Sequence, residues 1–301
     1  MLLYLGTYNS GAAKVAIPIL NQAGLAMISF ANSYAGLTKP GAGAPGEPDV
    51  FYPTGKRTYA RVVPAGDLQG GVAAGWSKEL GASRLYVLDD GDVYGKGITA
   101  AYMAAARQIG LNVIAGPQAV DPKAADYRAL ADTIQQQHPD LVYYAGVPQD
   151  QAGKLWQALR AAMPRVMLQG PDGLFDPAFL KDAGDAAEGT YLTFSGVPPS
   201  RLSGKGADWY QRYQQRYHAE PAAYAAYGYE ACSVGLDAIR RAGKKDRAAV
   251  VDAVFATRDF RGLFGTWSFD AHGDTTFATL SGNQVQHGAF QFLKTFTVAA
   301  S

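Results

Sequence analysis

MLLYLGTYNSGAAKVAIPILNQAGLAMISFANS, residues 1–33, is the stretch whose reading decides the fold. Residues 1–6 form an apolar run of strand length. It breaks at Thr7-Tyr8-Asn9-Ser10-Gly11, after which Ala13, Ala16, Ile17 and Leu20 recur at helical spacing. Gly24 closes that helix, and residues 25–30 make a second buried strand ending in Ala31-Asn32-Ser33. Both strands run out into small polar residues beside a helix start, which is where an open α/β sheet binds its ligand.

Outward from this stretch, a Gly- and Pro-rich loop over 38–58 leads to a strand at 59–63. Leu68, Val72, Trp76 and Leu80 then make a helical stripe, as do Ile98, Ala101, Tyr102, Ala105 and Ile109. Segments 84–88, 112–115, 141–144, 166–168 and 190–194 read as strands, separated by helices at 127–136, 153–163 and 177–183. Strands alternating with helices predict a parallel sheet covered on both faces. The alternation stops at the linker Gly196-Val197-Pro198-Pro199-Ser200. Helices follow at 206–217, 222–242 and 246–256, the last with Asp246 as N-cap. The tail over 260–296, rich in Gly, Thr and aromatics, reads as strands and hairpins. The expected fold class is α/β, with two Rossmann-like lobes joined by several strands.

Composition narrows the function classes. With 27 basic and 26 acidic residues the net charge is +1, and the basic tracts reach no further than Arg240-Arg241 and Lys244-Lys245. A nucleic-acid binder concentrates positive charge on one face, so that class is disfavoured. The single cysteine, Cys232, excludes an internal disulfide and a cysteine metal cluster, and its helical context predicts a small buried residue. No apolar run approaches the ~18 residues of a membrane span, and MLLYL lacks the basic flank and cleavage site of a secretory signal.

Several motifs lead nowhere. Gly41-Ala42-Gly43-Ala44-Pro45-Gly46 fits G-x-G-x-x-G but sits in a proline-containing loop without a helix to carry a pyrophosphate. Ala12-Ala13 replaces the Lys-Ser/Thr that a phosphate loop at Gly6 to Gly11 requires. Asp89-Asp90-Gly91-Asp92 lacks the downstream glutamate of a calcium loop and reads as a strand end followed by an N-cap. The four histidines are scattered, and no G-x-S-x-G elbow is present. No cofactor, metal or catalytic constellation stands out, and the chain is not expected to be an enzyme.

The pieces YNSGAAKVAIPILNQAGLAMIS, VLDDGDVYGKG, LVYYAG, LQGPDG, GDAAEGTYLTF, AAYGYEACSVGLDAI and FRGLFGTWSFDAHGD resemble, in order and across essentially the whole chain, the branched-chain amino-acid periplasmic binding proteins. These are the soluble receptors of ABC importers and have the type I two-lobed fold. The resemblance implies that lobe one holds residues 1–63 and 199–263, and lobe two residues 64–195 and 271–301. The crossings then fall near 63–66, 196–198 and 265–273. Family members carry about two more βα units and a signal sequence ahead of the point where this sequence starts. The resemblance therefore implies a lobe one incomplete at its N-terminus and a full-length parent located in the periplasm or outside the cell. The implied ligand is a branched-chain or related small amino acid, bound between the lobes and delivered to permease subunits. A ligand-sensing regulatory domain of the same fold is the alternative.

An α-amino acid presents a carboxylate, an ammonium and a side chain. By resemblance, Ser10, Gly11 and Ser33 hold the carboxylate through hydroxyls and backbone amides at a helix start. The Ala31 carbonyl takes an ammonium proton. Ser10 and Ser33 can equally be simple helix N-caps. Asp172, in Gln169-Gly170-Pro171-Asp172-Gly173, matches the acidic position that pairs with the ammonium, and Pro-Asp-Gly is also a turn signal in its own right. Tyr94 matches the aromatic stacked on the ligand backbone. Val147 and Pro148 match the side-chain wall, with Tyr224 and Tyr227 as further contributors.

Overall fold

The computed structural model describes residues 1–298. The chain begins with β1 (Leu3–Leu5), α1 (Ser10–Gln22), β2 (Ala26–Ser29) and β3 (Tyr59–Arg61). It continues through α2 (Gly66–Glu79), β4 (Leu85–Asp89), α3 (Val93–Gln108), β5 (Val113–Ala119), α4 (Arg128–Gln136), β6 (Leu141–Ala145), α5 (Ala152–Ala162), β7 (Met167–Gly170), α6 (Pro177–Ala183) and β8 (Tyr191–Phe194). Then come α7 (Lys205–Tyr217), α8 (Ala225–Ala242), α9 (Arg247–Phe255), the hairpin β9 (Phe260–Gly262) and β10 (Gly265–Trp267), β11 (Thr279–Gln286) and β12 (Ala289–Thr297). These elements form two compact units. The first holds Met1–Ala65 and Gly196–Thr279, and the second holds Gly66–Ser195 and the closing strands from Leu280.

In the first unit β1, β2 and β3 are parallel, with Leu3 opposite Ala26 and Ile28 opposite Ala60. β2 is buried along its whole length, as a strand covered on both faces must be. α1 turns Ala13 and Ile17 inward and leaves Val15 and Ile19 exposed. α8 packs on β1, where a Cβ on Gly235 would come within 2.3 Å of Leu3.

The second unit is a seven-stranded sheet in the order β12-β11-β8-β7-β6-β4-β5. β4 to β8 are parallel, and β11 runs antiparallel to β8. Side chains alternate along β6: Val142 and Tyr144 join a core with α4, α5 and α6, while Leu141, Tyr143 and Ala145 join another with α2 and α3. This two-faced burial is why β6 reads as a continuous apolar run.

The structure corrects several expectations. Leu68 and Val72 are only half-buried, and the inner face of α2 is made by Gln69, Gly70, Ala73, Ala74 and Ser77 beside Trp76. α2 lies so close to α3 that a Cβ on Gly70 would meet Ala101 and the Ile98 carbonyl oxygen at 2.7 Å. Contact through small residues erases the large-apolar stripe. Cys232 is half-buried rather than buried. β5 runs beyond residue 115 to Ala119, along the edge of the sheet. The last passage of the chain between units falls after Thr279, not within 265–273, because Asp274 pairs with Arg61 of the first unit.

The N-cap expectation at Asp246 holds, its carboxylate accepting the Ala249 N–H at 2.8 Å. Asp246→Ala is expected to destabilise the protein by about 1 kcal/mol, the usual value of such a cap. Urea unfolding followed by circular dichroism checks this, and an unchanged midpoint would show that α9 does not depend on its cap.

Candidate functional site

In the first unit the candidate residues gather around the ends of β1 and β2. Asn9 is the N-cap of α1 and makes no side-chain cap bond, so Ser10 is the first helical residue, 2% exposed, followed by Gly11. The Ser10 Oγ accepts the Tyr34 N–H at 3.3 Å, reaching across to the segment after β2 rather than capping its own helix. The opening N–H groups of α1 have no intrahelical partners and carry the positive end of the helix dipole.

Ser33 is not a cap either. It precedes Tyr34 and a short turn over Ala35–Leu37 that has no side-chain cap. Its hydroxyl is buried, at 1% exposure, and has no hydrogen-bond partner among the described residues. Leaving a buried hydroxyl unpaired costs about 1–3 kcal/mol, so such a group calls for an explanation.

The strand ends are stitched together by residues that the sequence reading passed over. Ser29 Oγ donates to the Thr7 carbonyl at 3.1 Å and accepts the N–H groups of Ala31 (3.2 Å) and Asn32 (2.9 Å). Asn32 Nδ2 donates to the Tyr8 carbonyl at 2.8 Å. Ala31 itself is buried, and its amide is committed to Ser29. Tyr34 donates its hydroxyl to Glu47 at 2.6 Å. Burial first, and then the Glu47 carboxylate, push the Tyr34 phenol up to about 12, so it remains a neutral donor.

Tyr224, half-buried at the N-cap of α8, packs edge-on to Tyr8 with ring centroids 5.3 Å apart. That contact brings it to the same loop as Ser10. Tyr227 is fully buried behind it, and its hydroxyl lies where Gly196 would carry a Cβ.

The second unit assembles Tyr94, Asp172 and Val147. Asp92 is the N-cap of α3, which starts at Val93 and places Tyr94 in its first turn. The Tyr94 hydroxyl donates to Asp172 Oδ1 at 2.7 Å and accepts the Gly173 N–H at 2.7 Å. Asp172 is 3% exposed and opens the turn Asp172–Leu174, so it is at once a turn residue and a buried carboxylate. Gly173 is required, since a Cβ there would lie 2.5 Å from the Gly146 carbonyl and 2.6 Å from the Tyr94 hydroxyl. Val147 follows Gly146, half-buried, and Pro148 is buried behind it.

Burial, and then the Asp172 charge, raise the Tyr94 phenol well above the tyrosine range, so it stays a proton donor. Nearby, burial lifts the Asp90 carboxyl to about 7, reinforced by the charges of Asp150, Asp92 and Asp89 against an opposing bond from the Asp92 amide.

A groove of about 600 Å³ in the first unit, lined among others by Lys205, Arg212 and Glu230, holds none of the candidate residues. Its buried carboxylate is already engaged, as Glu230 accepts the Leu263 amide at 2.9 Å and the Trp267 indole N–H at 2.7 Å. Among the described residues, no set of His, Cys, Asp and Glu side chains could hold a metal ion, and no helix is long and apolar enough to cross a membrane.

The sequence also matches known proteins. A family model described as periplasmic binding protein matches residues 2–288. The Leu/Ile/Val-binding protein homolog 1 of Brucella suis is 26% identical over 271 residues, which are 90% of this chain and 68% of that protein. A leucine-binding protein LivK from Thermotoga maritima superposes with a TM-score of 0.85 at 25% identity, over 99% of this chain and 80% of that one. The isoleucine complex of LivJ from Streptococcus pneumoniae gives 0.82 at 22% identity, over 98% and 80%. The family match takes in both units, and the fold is that of the type I periplasmic binding proteins. The chain belongs to the periplasmic binding protein family.

Proposed function

We propose that this protein is the solute-binding receptor of an ABC importer, that it takes a branched-chain or similar small α-amino acid, and that it passes this ligand to permease subunits. Membership of a family of substrate-binding receptors rather than catalysts supports a location in the periplasm or outside the cell. The observation that carries the reading is the Ser33 hydroxyl, buried and unpartnered alongside Ser10, which opens α1.

In this reading the Ser33 and Ser10 hydroxyls, with the Gly11 amide, receive the ligand carboxylate in a field that favours an anion. The Ala31 carbonyl accepts an ammonium proton, and Asp172 supplies the countercharge. Tyr94 supplies a π-face, Val147 and Pro148 an apolar wall for the side chain, and Tyr224 further apolar cover. Leu/Ile/Val-binding relatives support the same ligand class.

A thermal-shift screen against the twenty amino acids tests this. One aliphatic set is expected to raise the melting temperature, since ligand at a hundred times its Kd adds about 2.7 kcal/mol of stability. No shift with any of the twenty would overturn the assignment.

A further inference from the structure

Arg61, the last residue of β3, is fully buried, which is unusual for a side chain that is always charged. Its guanidinium is bonded on every side. Nε donates to Asp274 Oδ1 at 2.7 Å, and Nη2 donates to the Thr38 hydroxyl. Nη1 donates to the Tyr34 carbonyl at 2.8 Å and to the Asn32 carbonyl at 3.3 Å. Thr38 in turn donates to Asp274 Oδ2 at 3.0 Å, closing the ring.

Asp274 is fixed by backbone as well. Its N–H donates to Asp270 Oδ1 at 2.8 Å, and the Arg61 N–H donates to the Gly273 carbonyl at 2.9 Å. Gly273 has φ +89°, and a Cβ there would lie 2.4 Å from the Tyr59 carbonyl, so the 270–274 turn is pressed onto β3. Burial would raise the Asp274 carboxyl, but the Arg61 charge and the bonds from Arg61 and Thr38 outweigh it and hold it below the usual carboxylate range.

The two carbonyls held by Nη1 belong to the residues on either side of Ser33. A planar fork that grips both neighbours fixes the backbone of the residue between them. We propose that Arg61, clamped by Asp274 and Thr38, is a positioning residue for ligand binding, holding the Ser33 hydroxyl buried, unpartnered and available to an incoming carboxylate. This rests on the functional reading above. The arrangement has the form of a preorganised site, in which the binding group is ordered before the ligand arrives.

The test is a double-mutant cycle on affinity, read beside melting temperature in the same proteins. Wild type, Arg61→Met, Arg61→Lys, Ser33→Ala and the corresponding doubles are titrated by calorimetry with L-leucine, L-isoleucine and L-valine. Ser33→Ala is expected to lose about ten- to a hundredfold in affinity, the value of a hydrogen bond to a charged group. Arg61→Met is expected to lose at least about tenfold, and the double no more than the worse single, because both remove one interaction. Lysine keeps the charge that Asp274 needs but cannot fork to two carbonyls. Arg61→Lys is therefore expected to recover most of the melting temperature and little of the affinity. If Arg61→Met does not fold, the Arg61→Lys cycle decides. Additive losses, or affinity recovering in step with stability, would overturn the positioning role while leaving the receptor reading intact. A wild-type protein that binds none of the three, and none of the other amino acids in the thermal-shift screen, overturns the receptor reading and this inference with it.

Discussion

Asp172→Ala is expected to weaken amino-acid binding by more than about a hundredfold without unfolding the protein. The carboxylate is 3% exposed and is oriented by the Tyr94 hydroxyl at 2.7 Å. An ammonium brought to such a position and left without its countercharge costs about 3–5 kcal/mol, which corresponds to roughly two to three and a half powers of ten in Kd. Asp172→Asn separates charge from shape. The amide can still accept from Tyr94 and preserve the turn, yet it presents no countercharge, so its loss is expected to approach that of alanine. Tyr94→Phe removes only the orienting hydroxyl and is expected to lose about tenfold. Because the Tyr94 phenol is raised well above its ordinary range, its ionisation does not cut into binding at mildly alkaline pH. Calorimetric titration with an amino acid that binds the wild type checks the series. Wild-type affinity in Asp172→Asn would remove the ion pair from the account.

Trp156→Ala is expected to be the most destabilising single substitution proposed here, at about 3–5 kcal/mol. Trp156 is fully buried and lies edge-on to Phe179 at 5.2 Å and to Tyr144 at 5.8 Å. Its indole N–H donates to the Thr190 hydroxyl at 2.8 Å, which ties α5 to the start of β8. Truncation leaves a ring-sized cavity in a core that small movements cannot refill, and it orphans a buried hydroxyl. The loss is comparable with the whole stability of many domains, about 5–15 kcal/mol. Trp156→Phe keeps an aromatic in the gap and is expected to lose less than half as much. Urea unfolding followed by far-ultraviolet circular dichroism reads both, and a midpoint shift worth under about 1 kcal/mol for alanine would contradict this account of the core.

The sequence shows most of the parallel architecture because each buried strand carries its own signal. β4 as far as Leu88 and the whole of β6 are unbroken apolar runs, and α1 shows its inner face at Ala13 and Ile17. α2 hides its packing face, since glycine, alanine and serine form the contact and carry no hydrophobic stripe. Ser10 and Ser33 are legible as polar residues after strands. That neither caps a helix depends on the geometry of Asn9 and Tyr34, which spacing does not report. Arg61 had a visible signal, a charged residue inside the apolar strand Tyr59-Ala60-Arg61-Val62-Val63. What the signal lacked was an address, because its partner Asp274 lies 213 residues away. Tyr94 and Asp172 stand 78 residues apart, and only the resemblance to a family linked them before the structure did.

The first unit is built from two stretches of chain with the whole of residues 66–195 threaded between them. A chain emerging from a ribosome therefore makes α1, β2 and β3 long before α8 and α9 exist to cover them, while the five parallel strands β4 to β8 lie within one stretch. Long-range closure is slow because loop entropy is lost before contacts repay it. The second unit's parallel sheet is therefore expected to condense first, with strands β1 to β3 completed only once the 196–279 stretch has been made. The Arg61–Asp274 clasp, joining residues 213 apart, is expected to close late. Nature's labels for the two events are already in place, with Trp156 in the second unit and Trp267 in the first.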